Sequence, residues 1–362
     1  QPVFGPIREK LGIVTRAYFA QGDLTDTDIL VEFQNTLEAG LRQGLGQSLK
    51  EANMVSQAGD TTPMGDNAPP FIEDSDSTMS MGTSLRQLIF QWRFKTLQLL
   101  KLLLLQRRVM FFGYPIERLC TYQYSLISLL PGLLVHLEDC GAAELKSSQA
   151  PRQKIDHVKT SDKDSLLKYM GYPLPIFGED AFFQPYLPLQ QIDTLKANSW
   201  LVGTSNGVFR SQKDCAIDVI VDLEHASVEF MESTSPLKVQ NIVALTAADR
   251  KWMDEVVNTV VETWDPANPS RPTTLQFKGS DDYIRMKFQS YISSMLAATK
   301  ASNDTTSTEI SDPQTIAAFG TDFISQFKLT QAYASWNEWT DDKLYNVVPA
   351  RHPCEGKTSV EE

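Results

Sequence analysis

Residues 84–113, SLRQLIFQWRFKTLQLLKLLLLQRRVMFFG, leave a chain little choice of environment. Leu85, Leu88, Ile89 and Trp92 recur at i, i+3, i+4 and i+7, so the segment starts as a helix with one apolar face. From Leu97 onward leucines crowd until most sides of the helix are covered, which is the pattern of a helix inside a domain. Each buried leucine contributes about 1.5–3 kcal/mol relative to exposure, so the stretch is committed to an interior. The spacing predicts one long helix opened by a capping box of Ser84 and Gln87. Gln106, Arg107 and Arg108 close it with cations at the negative helix end, and Val109 to Phe112, bounded by Gly113, reads as a short buried strand. A membrane span needs ~20 apolar residues, and Lys101 and the arginine pair break the run before that length is reached.

The chain has 362 residues, 42% hydrophobic and 22% charged, enough for two domains or one large composite. A formal net charge of −12 argues against a nucleic-acid partner, since phosphate contact needs concentrated Lys and Arg, and against attraction to an anionic membrane surface. Cys120, Cys140, Cys215 and Cys354 lie far apart without metal-site spacing and read as reduced thiols. With no secretory signal at its start, a cytoplasmic setting is expected. The first residue is Gln1, and a preceding segment is expected.

Pro6 to Ala20 reads as a helix with Ile7, Leu11, Val14 and Tyr18 on one face, and Asp28 or Thr27 caps a second carrying Ile29, Leu30, Phe33 and Leu37. Between them lies the acidic link GDLTDTD. Gly44 to Gly82 is rich in Gly, Ser, Thr, Asp, Asn and Pro and reads as a flexible linker. After Tyr114-Pro115 a helix is expected with Ile116, Leu119, Cys120, Ile127 and Leu130 lining one face and ending at Pro131-Gly132, then a strand over Leu133 to Leu137, then a polar surface insertion over about 142–164. The Pro- and aromatic-rich run that follows loses too many N–H groups for a central strand and reads as an extended wrap over the core. Strands are expected at Ser199 to Thr204 and across Ile217 to Leu223, the latter turning at Glu224–Ala226 into Val228 to Met231. The last third is helical, with caps at Thr246/Asp249 and Ser280, and a helix starting at Asp312-Pro313 with Phe319, Phe323, Ile324 and Phe327 inward. The fold class is therefore α/β, with a central sheet covered by helices and a mostly helical C-terminal subdomain. Four segments result: terminal helices at 1–43, the linker at 44–83, the α/β part at 84–235 and the helical part at 236–362.

No constellation for covalent chemistry or for a metal or other cofactor stands out. His136, His157, His225 and His352 form no HExxH and sit beside no nucleophile motif, so they read as surface or satisfied polar groups. The Gly203–Gly207 run lacks the Gly-Lys-Ser/Thr ending of a phosphate loop and reads as a strand-end turn. Glu73, Asp74, Asp76 and Asp139 read as solvated loop charges. Arg107 and Arg108 could be a recognition fork but fit better as partners of the helix end. Trp336 and Trp339 suit a partner anchor or a core equally well.

An ordered series of segments carries a family resemblance: GPIREKLGIVTRAYF, KLLLLQRRVMFFGYPIERL, SLLPGLL, PLPIFGEDAFFQPYLPLQQ, WLVGTSNGVF, DVIVDLE, LTAADRKWMD, GSDDYIRMKFQSYISSMLAAT and FISQFKLTQAYASWN. Together they resemble the Avl family of DENN-domain proteins over nearly the whole chain apart from the two polar insertions. The resemblance implies a DENN module preceded by a longhin-like module, of which residues 1–43 are the terminal helices and whose sheet lies upstream. It implies a cytoplasmic protein at the periphery of Golgi, secretory or endosomal membranes, working in Golgi-to-surface transport. The implied partner is a Rab-type small GTPase, either as the substrate of guanine nucleotide exchange or as the ligand of a non-exchanging scaffold or effector. No family contact residue can be transferred onto this sequence. The acidic link, Asp23, Asp26 and Asp28, is nominated for partner contact, against the commoner role of such residues in helix capping and solvation.

Overall fold

The computed structural model describes residues 4–35, 83–134, 137, 163–178, 180–211, 215–231, 237–273, 277–303 and 313–354, in two compact units, residues 1–83 and 84–362. The expected linker, most of the insertion, His136, His157 and the acids Glu73, Asp74, Asp76 and Asp139 lie outside the described residues.

Unit 1 holds α1 (Phe4–Ala20) and α2 (residues 28–35). Ile29, Leu30 and Phe33 are half-buried, while Leu37 and Gly40 fall outside the described residues.

Unit 2 begins with the leucine-rich stretch, which is two helices rather than one: α3 (Leu85–Trp92) and α4 (Lys95–Leu104). The break is at Arg93, whose φ of 45° no helix tolerates. Its start is also built differently from the expected capping box. Ser84 Oγ makes no hydrogen bond; the Asp281 carboxylate accepts instead from the N–H groups of Leu85 (3.2 Å) and Arg86 (3.1 Å). A side chain nearly two hundred residues downstream thus satisfies the first turn of α3, and burial raises its carboxyl pKa above the ordinary value.

Beyond α4 come β1 (Arg108–Phe112), α5 (Ile116–Ser128) and α6 (Lys163–Tyr169). The expected strand near Leu133 is absent among the described residues, where Leu133 and Leu134 form a turn. β2 (Ala181–Gln184) and β3 (Ser199–Thr204) follow, then α7 (Val208–Ser211), β4 (Val219–Asp222) and β5 (Ser227–Phe230). Sheet order is β2-β3-β1-β4-β5, parallel throughout except for β5, which returns antiparallel along β4. β2 corrects the reading of the proline-rich run as a wrap alone. It occupies the sheet edge, the one place where flanking prolines cost no ladder bond on both sides.

The central strands are buried on both faces, as a parallel sheet requires. Val109 and Phe111 of β1 join Leu201 and Val221 in the large core with the helices, while Met110 joins Phe182, Trp200, Val202 and Phe209 in a smaller core on the other side. β4 is buried at every position, including Asp222.

The large core continues into α8 (Val239–Ile242), α9 (Ala247–Glu262), α10 (Asp281–Ala301), α11 (Pro313–Phe319), α12 (Thr321–Phe327) and α13 (Gln331–Trp339). The caps at Thr246 and Ser280 form as the spacing predicts, Thr246 in a full capping box with Asp249. The phenylalanine series is inward but split at Gly320, whose φ of 106° separates α11 from α12.

The two possible caps of α3 are separable. Ser84→Ala is expected to change urea-unfolding stability by no more than about 0.5 kcal/mol. Asp281→Ala, which strips two N–H groups of their acceptor, is expected to cost about 1–3 kcal/mol.

Candidate functional site

Lys101, placed by α4 among its leucines, is fully buried. Its Nζ donates to Asp249 Oδ2 at 2.6 Å and to the carbonyl of Phe319 at 2.8 Å, the last residue of α11, where a cation meets the negative end of a helix. It also sits 4.8 Å from the centroid of the Phe323 ring. Asp249 Oδ1 accepts from Tyr291 Oη at 2.8 Å and faces His352 Nε2 at 3.2 Å. His352 Nδ1 accepts from the Cys354 N–H, so the imidazole is the neutral tautomer with its proton on Nε2, donating to Asp249. Thr246 N–H donates to Asp249 Oδ2, and Thr246 Oγ1 donates to Ala318 O.

Desolvation is the largest influence on Asp249 and pushes its pKa up. The His352 hydrogen bond, the charge and hydrogen bond of Lys101, and Tyr291 together outweigh it, and the carboxyl lies below its ordinary value. Burial lowers Lys101 despite Asp249, and burial followed by the Asp249 charge raises Tyr291 well above a normal phenol. Lys101, Asp249, Tyr291 and His352 are each partnered and fully buried, so among the described residues this cluster holds elements together and offers no open position for a substrate. Sequence spacing showed the Thr246–Asp249 cap but gave no sign that Lys101 and His352 converge on it.

A second polar group lies at the carboxyl ends of the central strands. Arg210 donates to the buried Asp222 (2.8 Å) and to Glu229 (2.7 Å) and stacks over Phe112. Asp222 also accepts from the N–H groups of Glu224 and His225, closing the turn from β4 to β5, while His225 itself is exposed. Between strand and α7, Asn206 N–H donates to Thr204 Oγ1 and Val208 N–H to Asn206 Oδ1, so Gly203–Gly207 is a strand-end turn. Arg108 is a correction: it forms a two-pronged pair with Asp218 (2.8 and 3.1 Å) rather than tending the helix end. Trp336 belongs to the core, donating to Met170 O, and Trp339 is half-buried.

The nominated residues Asp23 and Asp26 lie in the exposed loop between α1 and α2, and Asp28 is the exposed first residue of α2. Tyr18 Oη donates to Leu24 O, and Gln21 Nε2 to the carbonyls of both Asp23 and Asp26, which closes the loop on the end of α1. Asp23 Oδ1 accepts from the hydroxyl and N–H of Thr25, and those bonds lower its pKa; Asp26 Oδ1 accepts from the Asp28 N–H. The backbone is thus fixed by local bonds while three carboxylates face water. Such a loop can present negative charge at low ordering cost.

The family model described as transport protein Avl9 matches residues 1–299. A relative described as late secretory pathway protein avl9, from Schizosaccharomyces pombe, is 32% identical over 371 aligned positions that span 99% of this chain and 70% of the relative. Late secretory pathway protein AVL9 of Saccharomyces cerevisiae is 29% identical across 98% of this chain, which spans 45% of that protein's length.

Because Asp249 has its pKa lowered by folding, it contributes stability above the unfolded carboxyl's pKa that is lost as pH falls through the folded one. Lys101→Met removes a lowering influence and leaves a buried charge unpaired. It is expected to cost about 3–5 kcal/mol and to move the acid-unfolding midpoint, followed by circular dichroism, to higher pH.

Proposed function

The chain belongs to the family of the transport protein Avl9, and from that premise we propose that it serves the late secretory pathway, Golgi to cell surface, by engaging a Rab-type small GTPase. In this reading residues 84–362 are a DENN module, recruited to the periphery of secretory or endosomal membranes. No helix among the described residues is long and apolar enough to cross a membrane.

The observation that carries the reading is the locally braced acidic loop at Asp23, Asp26 and Asp28, a charged, water-facing feature ready to meet a basic patch on a partner. Nucleotide exchange is the activity such an engagement would support. An exchange factor works by differential affinity: it binds the nucleotide-free GTPase more tightly than the GDP form, and no bond in the protein is made or broken. A scaffold would bind without that difference.

Release of fluorescent GDP from a panel of Rab proteins, measured with the full chain, tests this. Acceleration for one Rab supports exchange; a flat response with retained binding leaves the scaffold reading; no binding to any Rab ends both. Replacing Asp23, Asp26 and Asp28 together by Asn keeps the Oδ1 acceptors that hold the loop while removing its charge. The variant is expected to keep its thermal midpoint, slow association by about ten-fold at low salt, and lose that difference as salt rises.

A further inference from the structure

At the amino-terminal edge of the sheet, on the opposite side from the Arg210–Asp222 pair, lies a cleft of about 280 Å³. Its floor comes from the segment that joins α4 to β1 and from the starts of β2 and β3; its wall is the turn from α12 to α13. Three donors there are unspent among the described residues. Arg107 lines the cleft with its guanidinium charge, and its Nε has no hydrogen-bond partner. Ser199, only 6% exposed, lines the cleft with a hydroxyl that bonds no other residue. Gln331 opens α13, where the N–H groups of Ala332 and Tyr333 are already taken by Gln106 Oε1 and Thr330 Oγ1; its own has no acceptor within the helix.

A guanidinium whose hydrogen-bonding capacity is not filled within the fold is stabilised when an anion is brought against it. A guanidinium, a hydroxyl and a helix N-terminus are all donors, and all favour an anion. Its charge is limited by what else is present. Among the described residues Arg107 is the one cation lining the cleft, and Asp180 lines it too. That balance suits a single negative charge and disfavours a phosphate dianion. Leu329, 77% exposed, lies beside the donors and offers an apolar contact next to the charge.

We propose that this cleft binds a carboxylate side chain on a peptide segment of a partner protein, with an apolar neighbour resting on Leu329. The carboxylate takes the Arg107 guanidinium, the Ser199 hydroxyl and the Gln331 N–H. This partner is distinct from the GTPase assigned to the acidic loop, and the binding holds whether or not exchange occurs.

The probe is an end-blocked hexapeptide, Ser-Gly-Leu-Glu-Gly-Ser, titrated into the full chain carrying 15N-arginine. The readout is the Arg107 Nε–H resonance, identified by its loss in Arg107→Lys. A saturable shift is expected, with affinity about ten-fold weaker for the peptide in which Gln replaces Glu, and weaker also when phosphoserine replaces Glu. Ser199→Ala and Leu329→Ser, neither of which leaves a core contact unfilled, are each expected to weaken binding several-fold with the thermal midpoint unchanged. Equal affinity for the Glu and Gln peptides, tighter binding of the phosphoserine peptide, or an Arg107 resonance that does not move would overturn the proposal.

Discussion

Burying an ammonium and a carboxylate together costs more than their attraction returns unless further bonds complete them, and unit 2 is arranged around meeting that condition for Lys101 and Asp249. The completing groups come from different parts of the chain: Phe319 O from the end of α11, Tyr291 from α10, His352 from the last described segment, Thr246 from the start of α9. Each can satisfy the pair only in one relative placement. The pair therefore contributes less as net stability than as a requirement on how these elements meet, which generic leucine packing alone does not impose.

Arg86 applies the same logic at the other end of the leucine-rich stretch. Its guanidinium is buried and donates to the Thr263 hydroxyl and carbonyl and to the carbonyls of Pro269 and Gly279, while Asp281 caps its helix. Arg86 of α3 and Lys101 of α4 thus bond the downstream helical part at separate points. Core residues on both sides of residue 236 accordingly belong to one cluster, from Leu85 to Val348.

What could be read from the sequence follows the range of the interaction. The two expected caps whose donor and acceptor lie three residues apart, at Thr246 and Ser280, form as their spacing predicts. The cap of α3 did not, because its acceptor is supplied from Asp281, and no local pattern announces a partner so distant in sequence. The hairpin from β4 to β5 was visible as two short runs around a turn; β2 was hidden by its prolines, because the rule that keeps proline out of sheets is weaker at an edge. Lys101 appeared as an interruption of an apolar run, since a charge reads as exposed until its counter-charge is located. For the candidate surface, residue type pointed to Asp23, Asp26 and Asp28, whereas the bonds that brace their loop depend on Tyr18 and Gln21, which carry no charge pattern. Arg107 and Ser199 are brought to one cleft only by the sheet, and nothing in their own neighbourhoods marks them.

The distribution of satisfied and unsatisfied groups then bears on where recognition sits. In the interior of unit 2 the charged groups are consumed by one another and by backbone carbonyls, so altering any of them to suit a ligand would disturb the placement of several helices at once. A binding function can change without that penalty only where donors and acceptors are held rigidly yet left unspent. The acidic loop of unit 1 meets the condition with carboxylates braced from behind, and the amino-terminal cleft of unit 2 meets it with donors fixed by strand starts and a helix end. Rigid backbone on one side and unmet valence on the other is the combination that lets a surface bind without first being ordered, which is where the entropy of association is otherwise lost.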